Sequence, residues 1–318
     1  MHRIYLTVAL LSLSLLYACQ QKPQQENKIV SEIKTPTTVV VNYPLEFIVE
    51  SLVGPDLKVL NPVPPGADPE TWFPDDTMIQ TIQQADLIVT NGANYAGWVK
   101  KLSLPRSKVL KTSLLLKEAL ITVPDFDVHS HGSGGAHSHA GTVAFFWLDP
   151  ALLARQADAI EKKLIQLLPQ KKESITANLK KLKNSLEPLN QKLDQLRSNY
   201  PGLHWFSQRP VYQYLARRAG WTVHHLHWKK NAEPNESTWE KMKSIQEQHK
   251  VPFMIWEQRP GEKQLKALQE HGVASVILDP LSAKPAQGDY LTEMQRQLNQ
   301  LEEFLKQHSS AQRSSEKK

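Results

Sequence analysis

The stretch TTVVVNYPLEFIVESLVGPDLKVLNPV, residues 37–63, decides the fold class. It begins with a β-branched apolar run and ends with a second one, LKVLNPV. Between them lies a helical pattern with Pro44 in its first turn and Gly54 past its last. A strand, a helix and a further strand in this order predict a parallel sheet that is covered by helices.

The same alternation continues through most of the chain. After the first unit, DDTMIQTIQQA predicts a helix that is capped at Asp75 or Asp76, ADLIVTNG a third strand, and YAGWVKKL a short helix. The second half contains further predicted strands, separated by helical patterns: GLHWFS, WTVHHLHW, VPFMIWE and VASVILDP. We therefore predict an α/β fold of two Rossmann-like lobes with parallel sheets, over 37–148 and 199–308, joined by a long rigid helix.

Residues 149–198 form the predicted linking segment. Asp149 and Pro150 are a favourable helix start, and leucines then follow at spacings of three and four. Leucines at this spacing could also form a coiled-coil dimer, but Pro188 interrupts the heptads. Packing within one molecule, and hence a monomer, is the favoured interpretation.

The two ends of the chain are predicted to lie outside the folded body. Residues 1–19 have a basic start, an apolar run and Cys19, which is typical of a lipoprotein signal peptide. Cys19 is the only cysteine, so it is expected to carry a lipid anchor; the alternative is a secreted protein with an incidental cysteine. Residues 20–36 are predicted to be a flexible tether and 309–318 a disordered tail.

Charge and motifs exclude several classes of protein. The chain has 38 Lys and Arg against 32 Asp and Glu, a net charge of +6 spread in pairs along helices. No basic stripe is interleaved with aromatic residues, so a nucleic-acid partner is not expected. Phosphate-loop, dinucleotide, nucleophile-elbow and HExxH patterns are also absent, so an enzyme is not expected.

The clearest metal-seeking feature is a histidine-rich loop predicted over 128–140. Its histidines, in the sequence VHSHGSGGAHSHAG, are expected to be exposed and neutral near pH 7. Imidazole suits zinc, copper, nickel and iron, although a hydrophilic loop with fortuitous histidines is the alternative. The four residues are His129, His131, His137 and His139.

Three carboxylates follow predicted strands, where α/β sheets usually bind ligands. Glu70 follows the loop after LKVLNPV, Glu257 ends VPFMIWE, and Asp279 ends VASVILD. Each could instead cap a helix or form an ion pair. His227 ends another strand on the same face as His225, where a packed ring is the first interpretation and a ligand the second.

Several stretches together resemble a known family. They are NYPLEFIVESLVG, PVPPGADPETW, ADLIVTNGANYAGWVKKL, a histidine-rich loop before WLDP, YQYLARRAGW, and VILDPL with a later GDY. Together these stretches are similar to the zinc/manganese solute-binding lipoproteins of bacterial metal ABC transporters. The resemblance runs in order over almost the whole chain. It implies two α/β lobes bridged by a long helix, a metal ion held in the cleft, and delivery to a membrane permease with its ATPase.

The resemblance also implies four ligand positions, three of which differ here. Glu70 stands where the family has its first histidine, Phe145 stands where it has its second, and Arg209 stands where it has a histidine or a glutamate. Asp279 alone matches. Arg209 could turn outward while Glu70, Glu257 and Asp279 bind metal with His139, or it could pair with Asp279 or Glu70 and close the cleft.

The leading hypothesis is an extracytoplasmic protein that captures a divalent metal ion, zinc first, for an ABC importer. The alternative is a repurposed binding protein that takes an anionic solute or a metal chelate through Arg209. A zinc hydrolase has little support, because no general base lies beside an assembled ligand trio.

Overall fold

The structure is a computed structural model that describes residues 35–130, 136–228 and 234–315, with side chains outside 125–140 and 309–315. The predicted signal peptide, Cys19 and nearly all of the predicted tether lie outside these residues. No helix in the described part of the chain is both long enough and apolar enough to cross a bilayer.

The N-terminal lobe contains a four-stranded parallel sheet in the order β2-β1-β3-β4. Helix α1 begins after Asn42, whose side chain accepts a hydrogen bond from the Leu45 amide at 3.1 Å. Asp75 caps α2 in the same way, as the sequence predicted. The elements are β1 Thr37–Val40, α1 Tyr43–Val53, β2 Lys58–Leu60, α2 Asp76–Gln84, β3 Leu87–Thr90 and β4 Val109–Lys111.

The predicted histidine-rich loop has a different backbone in the structure. Strand β5, Thr122–Ser130, pairs antiparallel with β6, Ala136–Thr142, and the register places His129 opposite His137. The described residues of the predicted loop therefore belong to two paired antiparallel strands. The side chains of all four loop histidines, and residue 131 entirely, lie outside the described part of the structure.

The linking segment consists of two helices, α3 Pro150–Leu167 and α4 Lys172–Asn199. Asp149 caps α3 as predicted, and its side chain accepts from the Ala151 amide at 3.0 Å. Helix α4 has 28 residues and continues through Pro188, so it spans about 42 Å at 1.5 Å per residue. Its leucines are buried within the molecule, which supports the intramolecular interpretation: Leu179, Leu182, Leu186, Leu189, Leu193 and Leu196.

The C-terminal lobe repeats the parallel arrangement, with strand order β10-β9-β7-β8. Its final helix, α8, packs against α4 and contributes Tyr290 to the main core. The elements are β7 His204–Ser207, α5 Gln213–Ala219, β8 Thr222–His225, α6 Glu236–His249, β9 Phe253–Trp256, α7 Glu262–Glu270, β10 Ala274–Ile277 and α8 Tyr290–Ser315.

Buried hydrogen bonds connect the two lobes. The Trp147 indole Nε1 donates to the Pro280 carbonyl at 2.6 Å, and the Tyr214 hydroxyl donates to the Val143 carbonyl at 2.9 Å. Both lobes also contribute to one continuous apolar core. These contacts fix the loop that carries Asp279 relative to the N-terminal lobe.

Candidate functional site

The candidate site lies where the strand ends of the two lobes face each other. Glu257 directly follows β9, and Arg209 lies two residues beyond β7. Because β7 and β9 are neighbours in a parallel sheet, their carboxyl ends lie side by side. Glu70 comes from the N-terminal lobe, in the loop between β2 and α2.

Asp68 builds the turn that positions Glu70. Its side-chain Oδ1 accepts from the Glu70 amide at 3.0 Å, and its carbonyl accepts from the amides of Thr71 and Trp72. An aspartate that bonds the amide two residues on stabilises a tight turn. This hydrogen-bonded turn therefore holds Glu70 in a defined place.

Arg209 binds both neighbouring glutamates. Its Nε and Nη2 donate to Oε1 and Oε2 of Glu257, each at 2.6 Å, and its Nη1 donates to Oε2 of Glu70. The paired bonds to Glu257 form a bidentate fork, the strongest geometry for a guanidinium and a carboxylate. The guanidinium thus joins the two lobes across the cleft.

The ion cluster is only partly removed from water. The Arg209 side chain is 38% exposed, whereas those of Glu70 and Glu257 are 20% and 15% exposed. Burial raises the pKa of Glu70, and the charge of Arg209 opposes that rise. Burial alone would lower the pKa of Arg209, but its bonds to Glu257 and the charge of Glu70 outweigh burial and raise it. The guanidinium therefore stays charged.

Phe145 supports the guanidinium from the N-terminal lobe. The Arg209 Cζ atom lies 5.1 Å from the centre of the buried Phe145 ring, a cation–π distance. The Tyr95 ring meets Phe145 edge-on at 5.8 Å and holds it in place. Two of the three positions that depart from the ligand set implied by the resemblance, Phe145 and Arg209, thus contact each other.

Asp279 lies apart from the bonds of this cluster. Its Oδ1 accepts from the Leu281 amide at 2.7 Å, and its side chain is exposed. Solvent reaches the Asp279 carboxylate, but its pKa is raised. Partial desolvation is the main cause, and the negative charges of Glu293 and Glu257 add to it. Asp279 and Glu257 are therefore electrostatic neighbours.

The sequence left two alternatives for Arg209: to turn outward, or to pair with a carboxylate and close the cleft. The structure agrees with the second alternative for Glu70 but not for Asp279. Arg209 does not turn outward: it pairs with Glu70, as one alternative stated, and with Glu257, for which the sequence left an ion pair open beside metal binding. Asp279 is not a partner in any described hydrogen bond or ion pair of Arg209.

His227 occupies the edge of the same sheet. Strand β8 ends at His225, and His227 has a left-handed backbone with φ of 54°, so strict strand alternation does not extend to it. The two rings still meet edge-on with centres 4.7 Å apart. Strand β7 lies between β8 and β9, so the rings of His225 and His227 are two strands away from Glu257 in the sheet.

The structure places His204 beside two other histidines, His224 and His249. They come from β7, β8 and α6. Nothing local in the sequence signals this grouping, because it depends on strand register and helix packing.

Comparisons with known proteins agree with the two-lobed architecture. The family model described as "zinc-uptake complex component A periplasmic", ZnuA, matches residues 38–304. The high-affinity zinc uptake system protein ZnuA of Yersinia pestis is 22% identical over 258 residues, covering 76% of this chain and 81% of that protein. The metal ABC transporter substrate-binding lipoprotein ScbA of Streptococcus cristatus is 23% identical over 316 residues, covering 95% and 98%.

Among solved structures, the substrate-binding protein FpvC of Pseudomonas aeruginosa in complex with Mn²⁺ superposes with a TM-score of 0.70. It is 20% identical, and the match covers 83% of this chain and 96% of that one. The fold is thus shared along nearly the whole described chain. Since the family model spans both lobes and the linking helices, the chain belongs to the family of the periplasmic zinc-uptake component A, ZnuA.

Proposed function

We propose that this protein is the extracytoplasmic substrate-binding component of an ABC importer and that it captures a divalent metal ion, zinc first. The observation that carries the proposal is the family match, which is continuous over residues 38–304. Relatives named for metal uptake, such as ScbA of Streptococcus cristatus, align over almost their full length.

The charge of the cleft supports a cation as cargo. Glu70, Glu257 and Asp279 contribute three negative charges and Arg209 one positive charge, which leaves a formal net charge of −2 when all four are ionised. A double negative charge in a partly buried cleft attracts a dication.

The proposed metal ligands are Glu70, Glu257, Asp279 and a loop histidine, His139. Carboxylate and imidazole groups both bind zinc at about 2.0–2.2 Å. Because Arg209 now holds the two glutamates, it must leave them before they can bind the metal. The structure therefore corresponds to a closed, arginine-paired form of the cleft.

The remaining loop histidines are proposed to gather metal ahead of the cleft. His129, His131 and His137 add imidazoles in the same histidine-rich stretch of the sequence, and imidazole selects zinc, copper or nickel over magnesium and calcium. Carboxylates in the cleft also suit manganese. Zinc is the first candidate because of the imidazoles.

The N-terminal sequence and the family match support a proposed location and proposed partners. We infer that residues 1–19 direct export and that Cys19 carries a lipid anchor, so that the folded body works as a monomer beside the membrane. A permease and its ATPase would accept the metal. The protein itself would bind and release its cargo without chemistry.

An anionic solute is the weaker candidate for the cleft. Arg209 directs three of its five N–H donors at protein carboxylates, which leaves few for a ligand. An incoming carboxylate would also meet the repulsion of the glutamates. Binding of a carboxylate ligand without metal, lost on Arg209→Ala, would nevertheless favour this second function.

Asp279→Asn is expected to weaken the tightest zinc site of the metal-stripped protein at least tenfold. Asparagine keeps the acceptor for the Leu281 amide but removes one negative charge. Tenfold corresponds to about 1.4 kcal/mol, a modest value for one charge beside a dication. Isothermal titration calorimetry with zinc and with manganese measures the change.

Glu262→Gln is the matched control, because Glu262 is an exposed acid of the same lobe that pairs only with Arg259 among its described contacts. Its zinc affinity should equal that of the wild type. Equal affinity in the Asp279 variant would remove Asp279 from the site, and no zinc binding by the wild type in the micromolar range would contradict the proposed function.

A further inference from the structure

Three histidines meet beside the edge strand β8 of the C-terminal sheet. His204 is the first residue of β7, His224 lies in the neighbouring edge strand β8, and His249 is the last residue of α6. The cleft groups follow the opposite, carboxyl ends of these strands. About 10 Å of strand separates His204 from the end of β7 at about 3.3 Å per residue.

Strand register explains why two of these side chains meet. Thr222 pairs with His204, and His224 pairs with Phe206, so the two histidines are diagonal neighbours on one face of the sheet. Phe206 belongs to the smaller apolar cluster under α6. Met242 and Ile245 of α6 belong to this cluster too, and His249 continues their face of the helix one turn further.

The three rings present nitrogen atoms to a common point. His204 Nδ1 and His224 Nε2 are 2.9 Å apart, and one ring nitrogen from each of the three residues lies within 4.8 Å of the others. The centres of the rings of His204 and His224 are 5.2 Å apart, and the ring planes differ by 21°. These values place the two nitrogens between the rings, so the rings meet edge to edge, and one nitrogen donates its proton to the lone pair of the other.

His249 completes the group from the helix. Its ring centre lies 4.6 Å from that of His204 and 5.2 Å from that of His224, with planes within 22°. His249 is exposed, which leaves a path from solvent to the group. The C-terminal end of α6 also adds partial negative charge, which favours a cation.

The rings of His204 and His224 have the protonation state that metal binding requires. Burial lowers the pKa of His204, and His249 lowers it further. Burial, His204, His249 and Lys241 together lower the pKa of His224 to about 4. At neutral pH these rings are therefore uncharged and keep a free lone pair each.

We propose that His204, His224 and His249 form a second metal site, separate from the cleft, that takes a borderline dication such as Zn²⁺ with three imidazole nitrogens and an open fourth position for water. Tetrahedral zinc with bonds of about 2.0–2.1 Å needs nitrogens roughly 3.3 Å apart. His204 and His224 must open by a few tenths of an ångström, and His249 must approach.

Protons balance in this step. One proton lies in the hydrogen bond between His204 and His224, and it must leave the facing nitrogen before the metal binds there. It moves through solvent to the other nitrogen of the same ring, so a neutral ring changes tautomer and no proton is released.

The test counts zinc equivalents in the full chain by competition with a chromophoric chelator. His249→Gln and His204→Gln are each expected to weaken one equivalent at least tenfold. His271→Gln is the matched control, since His271 also ends a helix of this lobe and stacks on Trp239 at 4.5 Å. It should retain every equivalent, and the Asp279→Asn variant should retain the histidine-dependent one.

Imidazole nitrogen chemical shifts provide a second measurement that does not depend on how the variants fold. Zinc added to the wild type should shift the ring nitrogens of His204, His224 and His249 together. Unchanged stoichiometry and affinity in both histidine variants would overturn the second site, and so would unshifted nitrogens at saturating zinc. Neither outcome would bear on the cleft, because Asp279→Asn tests that site independently.

Discussion

Arg209→Met is expected to raise the zinc affinity of the cleft by at least 100-fold. In the wild type a metal ion must displace the guanidinium from Glu70 and Glu257 and then remain near a positive charge. A single charge about 5 Å from a dication costs on the order of 3–6 kcal/mol at the effective dielectric of a partly exposed cleft. The lower value already corresponds to 100-fold.

The same substitution should destabilise the metal-free protein. Without Arg209, two partly buried carboxylates lose their counter-ion and face each other. Breaking a buried pair costs about 3–5 kcal/mol, and the exposure of Arg209 reduces this to roughly 1–2 kcal/mol. Zinc should more than restore the loss, because a ligand that binds only the folded state stabilises it.

Calorimetry and thermal unfolding, each with and without zinc, check both halves of this prediction. Arg218→Met is the control, because Arg218 also forms a bidentate pair, but with Asp194 on α4 and not with a carboxylate of the cleft. It should change stability slightly and zinc affinity not at all. An Arg209→Met protein whose zinc affinity matches the wild type would show that Glu70 and Glu257 do not bind the metal.

Much of the fold could be predicted because strong local patterns and tertiary packing agree. The run from Thr37 to Val63 carries its own strand, cap and helix signals, and the structure follows them. Strand β4 was missed because it is a three-residue strand, Val109–Lys111, without a clear alternating pattern. Its place depends on pairing with β3.

Pro188 shows where a local rule is overridden. A proline removes one helical hydrogen bond and favours a break. Helix α4 nevertheless continues through it, since Leu186 and Leu189 on either side are fully packed in the core. The gain from burying this leucine face exceeds the loss of a single bond.

The site was only partly predictable because its geometry comes from separate elements. The ends of predicted strands indicated Glu70 and Glu257. Whether the Arg209 side chain points to solvent or binds these carboxylates depends on how the two lobes face each other. His204, His224 and His249 are 45 positions apart from first to last, and only strand register and the packing of α6 bring them together.

Trp147→Ala is expected to lower the free energy of unfolding by about 3–5 kcal/mol, the largest stability effect that we predict. The side chain is fully buried, and its indole donates to the Pro280 carbonyl at 2.6 Å. Its ring also contacts Tyr95 and Phe145 at 5.3 and 5.0 Å between ring centres. Truncation would leave a large cavity and an unpaired buried carbonyl.

Trp147→Phe separates these two contributions. Phenylalanine keeps most of the ring contacts but cannot donate to Pro280, so the loss of unfolding free energy should fall to about 1–3 kcal/mol, the cost of an unsatisfied buried acceptor.

Because Pro280 follows Asp279, either variant should also loosen the Asp279 loop and weaken zinc binding in the cleft. Urea unfolding and zinc titration measure the two effects, with Trp239→Phe in the smaller apolar cluster as control. A Trp147→Ala protein within 1 kcal/mol of the wild type would mean that the lobes do not depend on this contact.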